Sequence, residues 1–140
     1  MKDPAVRRWS RFHTRLYRFT NGLLGRRLVA NDMLLLTTKG HRTGRPHTVP
    51  LLYLKDHEAF VVIASYGGRP QHPTWYRNLV GHPEVTVQIE GTKTRMTARG
   101  ADPREREVWW PRIEAAYGGY SVYQSRTERE IPVVFLEPMV

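Results

Sequence analysis

Four short segments of this 140-residue chain carry side chains able to hold or process a ligand. The first is Lys39-Gly40-His41-Arg42-Thr43-Gly44-Arg45. Backbone N–H groups at glycines, joined by cationic side chains and the Thr43 hydroxyl, make an anion-binding concavity. A solvated basic turn explains the same residues equally well, and the spacing is not that of a P-loop. The second is Ala64-Ser65-Tyr66-Gly67-Gly68, where paired glycines behind an apolar run let a flat ligand approach the main chain. Its plain reading is a strand-ending turn. In the third, Trp75 and Asn78 share a helix face at i, i+3. There Trp75 would cover an aromatic ring and Asn78 would bond its polar edge, against a core tryptophan beside a surface asparagine. The fourth repeats tyrosine every third residue, at Tyr117, Tyr120 and Tyr123. Phenols stack on substrates and donate hydrogen bonds or a proton, or else simply pack together and close a core.

Other chemistries lack support. The six histidines show no metal-ligand spacing, and no cysteine is present to serve as ligand, nucleophile or disulfide partner. No serine sits in a G-x-S-x-G elbow, and no G-x-G-x-x-G follows a strand.

The net charge of +9 is local. Residues 1–30 hold eight Lys or Arg against one acid, residues 31–47 add three against one, and residues 48–140 balance eleven against eleven. A nucleic-acid groove on the body of the domain would itself be basic, so no nucleic-acid partner is expected. No apolar run approaches the length of a membrane span, and no signal-peptide core follows the first arginines, so a cytoplasmic location is expected.

The elements that must position these groups follow from periodicity. Residues 4–28 predict a basic amphipathic helix, with Val6, Trp9, Phe12, Leu16, Phe19 and Leu23 on one stripe. Strands are predicted over 32–38, 47–55 (with Pro50 marking an edge or bulge) and 59–65, the last buried on both faces. Pro73 opens a helix to about residue 80, and 84–90 and 92–99 form a hairpin. Asp102-Pro103 with Glu105 caps a helix that Pro111 should kink or divide, and 131–137 is the final strand. Neighbouring strands with inserted helices indicate a closed antiparallel barrel rather than a parallel sheet. The N-terminal helix of 1–30 precedes a single barrel domain of 31–140.

Three stretches, LLLTTKGHRTGRPHTVPLLYL (34–54), VIASYGGRPQHPTWYRNLVGHPEVTVQI (62–89) and WPRIEAAYGGYSVYQSRTEREIPVVFLEP (110–138), together resemble the deazaflavin-dependent nitroreductase family of actinobacteria. The resemblance implies a mainly β fold with flanking helices, a split antiparallel β-barrel of the FMN-binding, pyridoxamine-phosphate-oxidase-like kind. It implies reduced coenzyme F420 as hydride donor and a quinone, nitroaromatic or enone as small-molecule acceptor. On that resemblance the basic loop (Lys39, Arg42, Thr43, Gly44, Arg45 and His47) grips the coenzyme's phosphate and glutamate tail. Val49 and Pro50 line its channel, Ile63, Ala64 and Ser65 lie along the deazaflavin, and Tyr66, Gly67 and Gly68 make the cofactor-binding turn that follows. Trp75 and Asn78 contact the coenzyme. Ser65, Tyr117, Tyr120 and Tyr123 face the acceptor, and a tyrosine or water supplies the proton.

His41, His47 and Tyr66 depart from family cations, so the tail site is expected to lean on Lys39 and Arg45. An FMN-dependent enzyme of the same barrel is the nearest rival, followed by a coenzyme carrier without turnover and a basic nucleic-acid-binding module. The N-terminal stripe either packs on the barrel, the favoured reading, or rests on an anionic membrane surface as a peripheral contact. Related folds often pair, so a homodimer is an open expectation.

Overall fold

The computed structural model describes residues 33–139. The basic helix expected over 4–28, and with it the N-terminal unit and its membrane contact, lie outside the described residues.

Among the described residues seven strands form one antiparallel sheet: β1 (Met33–Lys39), β2 (Pro46–Leu52), β3 (Leu54–Asp56), β4 (Ala59–Ile63), β5 (Glu84–Ile89), β6 (Thr92–Gly100) and β7 (Val133–Pro138). Their order is β2-β1-β5-β6-β7-β4-β3. The outermost strands, β2 and β3, are separated in sequence by Tyr53 alone. The two margins of the sheet therefore meet at that residue, and the sheet must curl into a half-barrel. The run expected as one strand over 47–55 thus divides between the two margins. Pro50, opposite Leu35, sits on an outer strand, where a missing N–H costs no ladder bond.

Burial explains the sequence patterns. On β1, Leu34, Leu36 and Thr38 are buried while Met33, Leu35 and Thr37 are half-buried, an alternation with one core-facing side. β4 and β7 read as continuous apolar runs because two cores flank them. Val62, Val134 and Leu136 enter the barrel core with Leu36, Val87, Met96 and Trp75. Val61, Ile63, Val133 and Phe135 enter a second core under the helices, with Trp109, Ile113 and the three tyrosines. Each such aliphatic side chain contributes roughly 1.5–3 kcal/mol on full burial.

Among the described residues three α-helices flank the sheet: α1 (Thr74–Gly81), α2 (Pro103–Ala116) and α3 (Gly119–Ser125). Pro73 precedes α1, whose Trp75, Asn78 and Leu79 are buried on one face. α2 opens with a complete capping box: Asp102 accepts from the Glu105 N–H at 2.8 Å, and the Glu105 carboxylate accepts from the Asp102 N–H at 3.0 Å. Pro111 does not divide α2. Pro111 and Glu107, whose carbonyl lacks its helical donor there, are both exposed, so the lost bond falls on the solvent side of the helix. Most of the tyrosine segment is the short helix α3.

Candidate active site

A cavity of about 680 Å³ opens where β2, the end of β4, the start of α1 and α3 converge. Its walls include His47, Val49 and Pro50 from β2, Ile63 from the end of β4, Ser65, Tyr66 and Gly67 from the turn that follows, Trp75 from α1, and Tyr120 and Tyr123 from α3. Ten residues separated by up to 76 positions in the chain are thereby brought together. The volume and apolar walls suit a planar aromatic ligand.

The turn after β4 is built for close approach. Tyr66, Gly67 and Gly68 all adopt positive φ, at 50°, 65° and 82°. At Gly67 an added Cβ would meet nothing within 4 Å, so this backbone faces open space. Gly68 faces inward instead, where a Cβ would come within 2.5 Å of the Tyr123 carbonyl oxygen. Gly68 therefore lets the turn seat on α3 and lies behind the wall. Ala64 is fully buried behind the wall as well.

Arg129, which no sequence spacing had singled out, braces this turn. Its guanidinium donates to the carbonyls of Ser65 (2.7 Å), Arg69 (2.8 Å) and Ala64 (3.3 Å), and Nη1 lies 3.0 Å from His72 Nδ1. Burial, then the positive charges of Arg129 and Arg77, hold His72 below the ordinary histidine pKa, so it stays neutral and accepts. Arg69, Pro73 and Thr74 also face the cavity without having been singled out.

Asn78 does not line the cavity. It is 1% exposed and ties the basic loop to the barrel. Its Oδ1 accepts from the His41 N–H at 2.9 Å and lies 2.6 Å from His41 Nδ1, while its Nδ2 donates to Thr38 Oγ1 at 3.0 Å. The loop closes on itself through Gly40 N–H to the Arg45 carbonyl (2.8 Å) and Gly44 N–H to the Gly40 carbonyl (2.9 Å). Thr43 Oγ1 accepts from the Arg45 N–H at 3.1 Å, so this hydroxyl serves the loop. Lys39, Arg42 and Arg45 are exposed, and among the described residues none lies within ion-pair distance of a carboxylate. The loop's cations are thus available beside the His47 end of the cavity.

The tyrosines divide. Their rings form a chain of edge contacts, with centroids 6.1 and 6.0 Å apart. Tyr117 is absent from the cavity wall, and its hydroxyl donates to the Tyr53 carbonyl at 2.9 Å, fastening α2 to the β2–β3 junction. Tyr120 and Tyr123 line the cavity. Burial pushes the Tyr120 phenol well above its ordinary range, helped by Tyr117 and Tyr123, and raises Tyr123 as well. Both remain neutral O–H donors at any working pH. Among the described residues no group of three potential metal ligands occurs, and no helix is long and apolar enough to cross a membrane.

Residues 9–138 match the model of the F420H2-dependent quinone reductase family. The chain is similar to an F420H2-dependent quinone reductase of Mycobacterium tuberculosis, 39% identical over 130 residues that span 90% of this chain and 87% of the relative. A solved F420H2-dependent reductase superposes with a TM-score of 0.70 at 37% identity, over 79% of this chain and 97% of that one. A solved domain-swapped dimer superposes with a TM-score of 0.71 at 33% identity, over 96% and 100%. Fainter likenesses below 25% identity speak for the fold alone, and with these they make it the split antiparallel barrel of the pyridoxamine-phosphate-oxidase type, with flanking helices.

Proposed function

This chain belongs to the F420H2-dependent quinone reductase family, and from that premise we propose that it passes a hydride from reduced coenzyme F420 to a quinone or another electron-poor organic acceptor, such as a nitroaromatic or enone. The carrying observation is the juxtaposition of an apolar cavity with an adjacent loop of exposed cations. A ligand with a flat ring and a polyanionic tail fits that arrangement. When bound, the reduced deazaflavin supplies the hydride, and the protein binds, orients and shields it.

Val49, Pro50, Ile63, Tyr66, Gly67 and Trp75 flank the ring in this reading, with open backbone at Gly67 giving a flat surface to lie against. Lys39, Arg42 and Arg45 take the phosphate and carboxylates of the tail, with Gly44 and His47 beside them. Asn78 acts at one remove by fixing the loop, Ala64 and Gly68 act by fixing the turn, and Tyr117 fixes α2. The acceptor occupies the Ser65, Tyr120 and Tyr123 side. Tyr120 bonds the acceptor oxygen. Tyr123, whose phenol pKa burial raises and the nearby Arg126 offsets in part, is the proposed proton donor.

The test is fluorescence titration of the purified protein with oxidised F420 and, separately, FMN, followed by turnover of a naphthoquinone with reduced F420. Micromolar or tighter preference for F420 with quinone turnover supports the reading. Preference for FMN transfers the chain to flavin chemistry, and F420 binding without turnover of any acceptor makes it a carrier. A related chain forms a domain-swapped dimer, so light scattering is expected to report two copies.

A further inference from the structure

Of the described residues that line the cavity, Arg69 alone carries a permanent charge. Its guanidinium sits over the Tyr66 ring, 4.7 Å from the centroid, and donates from Nη1 to the Tyr66 hydroxyl at 3.2 Å. Its main chain is fixed at both ends: the N–H donates to the Tyr66 carbonyl at 3.2 Å, and the carbonyl accepts from Arg129 Nε at 2.8 Å. Among the described residues no carboxylate lies within ion-pair distance of it. Arg69 is therefore a pre-positioned cation without a counter-ion among the described residues.

A long side chain on an exposed turn ordinarily samples many rotamers. Here the stacking partner is itself held at a φ of +50°, a conformation unusual for a residue with a side chain, and Arg129 braces the turn that imposes it. The tyrosine thus serves as a prop, leaving the outer edge of the guanidinium for a second partner. A guanidinium so presented offers a planar fork of donors, which matches two oxygens of a carboxylate, phosphate or sulfonate.

We propose that Arg69, propped on Tyr66, is an anion-recognition residue at the wall of the cavity, separate from the Lys39–Arg45 loop, and that it takes a carboxylate, phosphate or sulfonate group of a bound ligand. This rests on the preceding reading only in the identity of that ligand, which is either the coenzyme tail or a charged acceptor. Arg69 then decides which tails or acceptors are favoured.

The test is side-chain NMR of the whole protein. The Arg69 Nε–Hε resonance is assigned by its loss in Arg69→Gln, then followed during titration with inorganic phosphate, intact F420, the tail-less deazaflavin chromophore and a sulfonated naphthoquinone. A saturable Arg69 shift with phosphate supports the proposal even if the protein binds no F420, so the two readings fail separately. A shift with intact F420 but not with the tail-less chromophore assigns the anion to the coenzyme tail. A shift with the sulfonated quinone assigns it to the acceptor. Affinity for the responding ligand falls about tenfold in Arg69→Gln and less in Arg69→Lys. An Arg69 resonance unmoved by all four additions overturns the proposal. So does Arg69→Gln binding as tightly as the parent.

Discussion

The guanidinium of Arg129 reaches 64 residues back along the chain and donates to the carbonyl oxygen of Ser65 at 2.7 Å. With its bonds to Ala64 and Arg69 it closes both sides of the left-handed turn that forms one cavity wall. The planar fork reaches three carbonyls from three separate nitrogens, a spread that an ammonium, with all its donors on one nitrogen, does not match. Arg129→Met is expected to cost about 2 kcal/mol of stability in urea unfolding, and Arg129→Lys nearly as much. Both should weaken F420 binding beyond what the lost stability explains. Unchanged affinity in a folded Arg129→Met protein would show that the turn holds its shape unaided.

The two glycines of that turn should respond differently to alanine. Gly67→Ala meets no neighbour and carries only the cost of a side chain at positive φ, about 1 kcal/mol. Gly68→Ala adds a collision with the Tyr123 backbone, and should lose several kcal/mol or displace α3. Thermal melts compare the two directly. The informative variant is Gly67→Ala, which should fold well yet bind the coenzyme poorly, because its methyl group projects where the ring is proposed to lie.

The different fates of these neighbours mark where sequence reading stops. Periodicity found the strands because one-sided burial alternates, as on β1, and two-sided burial gives continuous runs, as on β4 and β7. The capping box at Asp102 was legible because it is local. Pro111 leaves the helix undivided, because a proline breaks a helix less readily where solvent can reach the freed carbonyl, and solvent exposure is not written in the sequence. Asn78 was placed on the correct helix face, but a face does not reveal what stands opposite. Arg129 had no local signal at all, since its partners lie about sixty positions away. Resemblance assembled the candidate site where spacing alone could not, yet it offered no means of separating cavity walls from the residues that hold those walls.

Asn78 links three elements through one amide, so its removal should be felt in the basic loop. Asn78→Leu keeps the volume but leaves the His41 N–H and the Thr38 hydroxyl without their partner. A loss of about 2 kcal/mol is expected. Amide exchange over 40–45 should accelerate more than in the barrel strands. If coenzyme affinity falls through looser cations, the salt dependence of binding should flatten at the same time.

Glu105 both caps α2 and pairs with Arg99, whose Nη1 and Nη2 donate to its carboxylate at 2.8 Å each. The Arg99 bonds, then the Asp102 N–H, hold its pKa at about 2, below the ordinary 4.5. A carboxyl with a lowered folded pKa stabilises fully above its unfolded pKa and loses that contribution as pH falls toward the folded one. The window is therefore between about pH 4.5 and 2. Partial exposure of both partners reduces the worth of the pair to about 1 kcal/mol. Glu105→Gln should remove that slope from the acid-unfolding profile and lower neutral-pH stability by a similar amount.

Tyr120 and Tyr123 separate hydrogen bonding from proton supply. Burial keeps Tyr120 neutral, so Tyr120→Phe removes a donor to the acceptor oxygen and should raise KM for a quinone several-fold, with a smaller effect on kcat. Tyr123→Phe removes the proposed acid. It should lower kcat by about tenfold to a hundredfold and diminish the solvent deuterium isotope effect on turnover. The affinity for oxidised F420 should change little in either, because neither hydroxyl is assigned to the coenzyme. Normal turnover in the double variant would leave water as the proton source and reduce both phenols to packing groups.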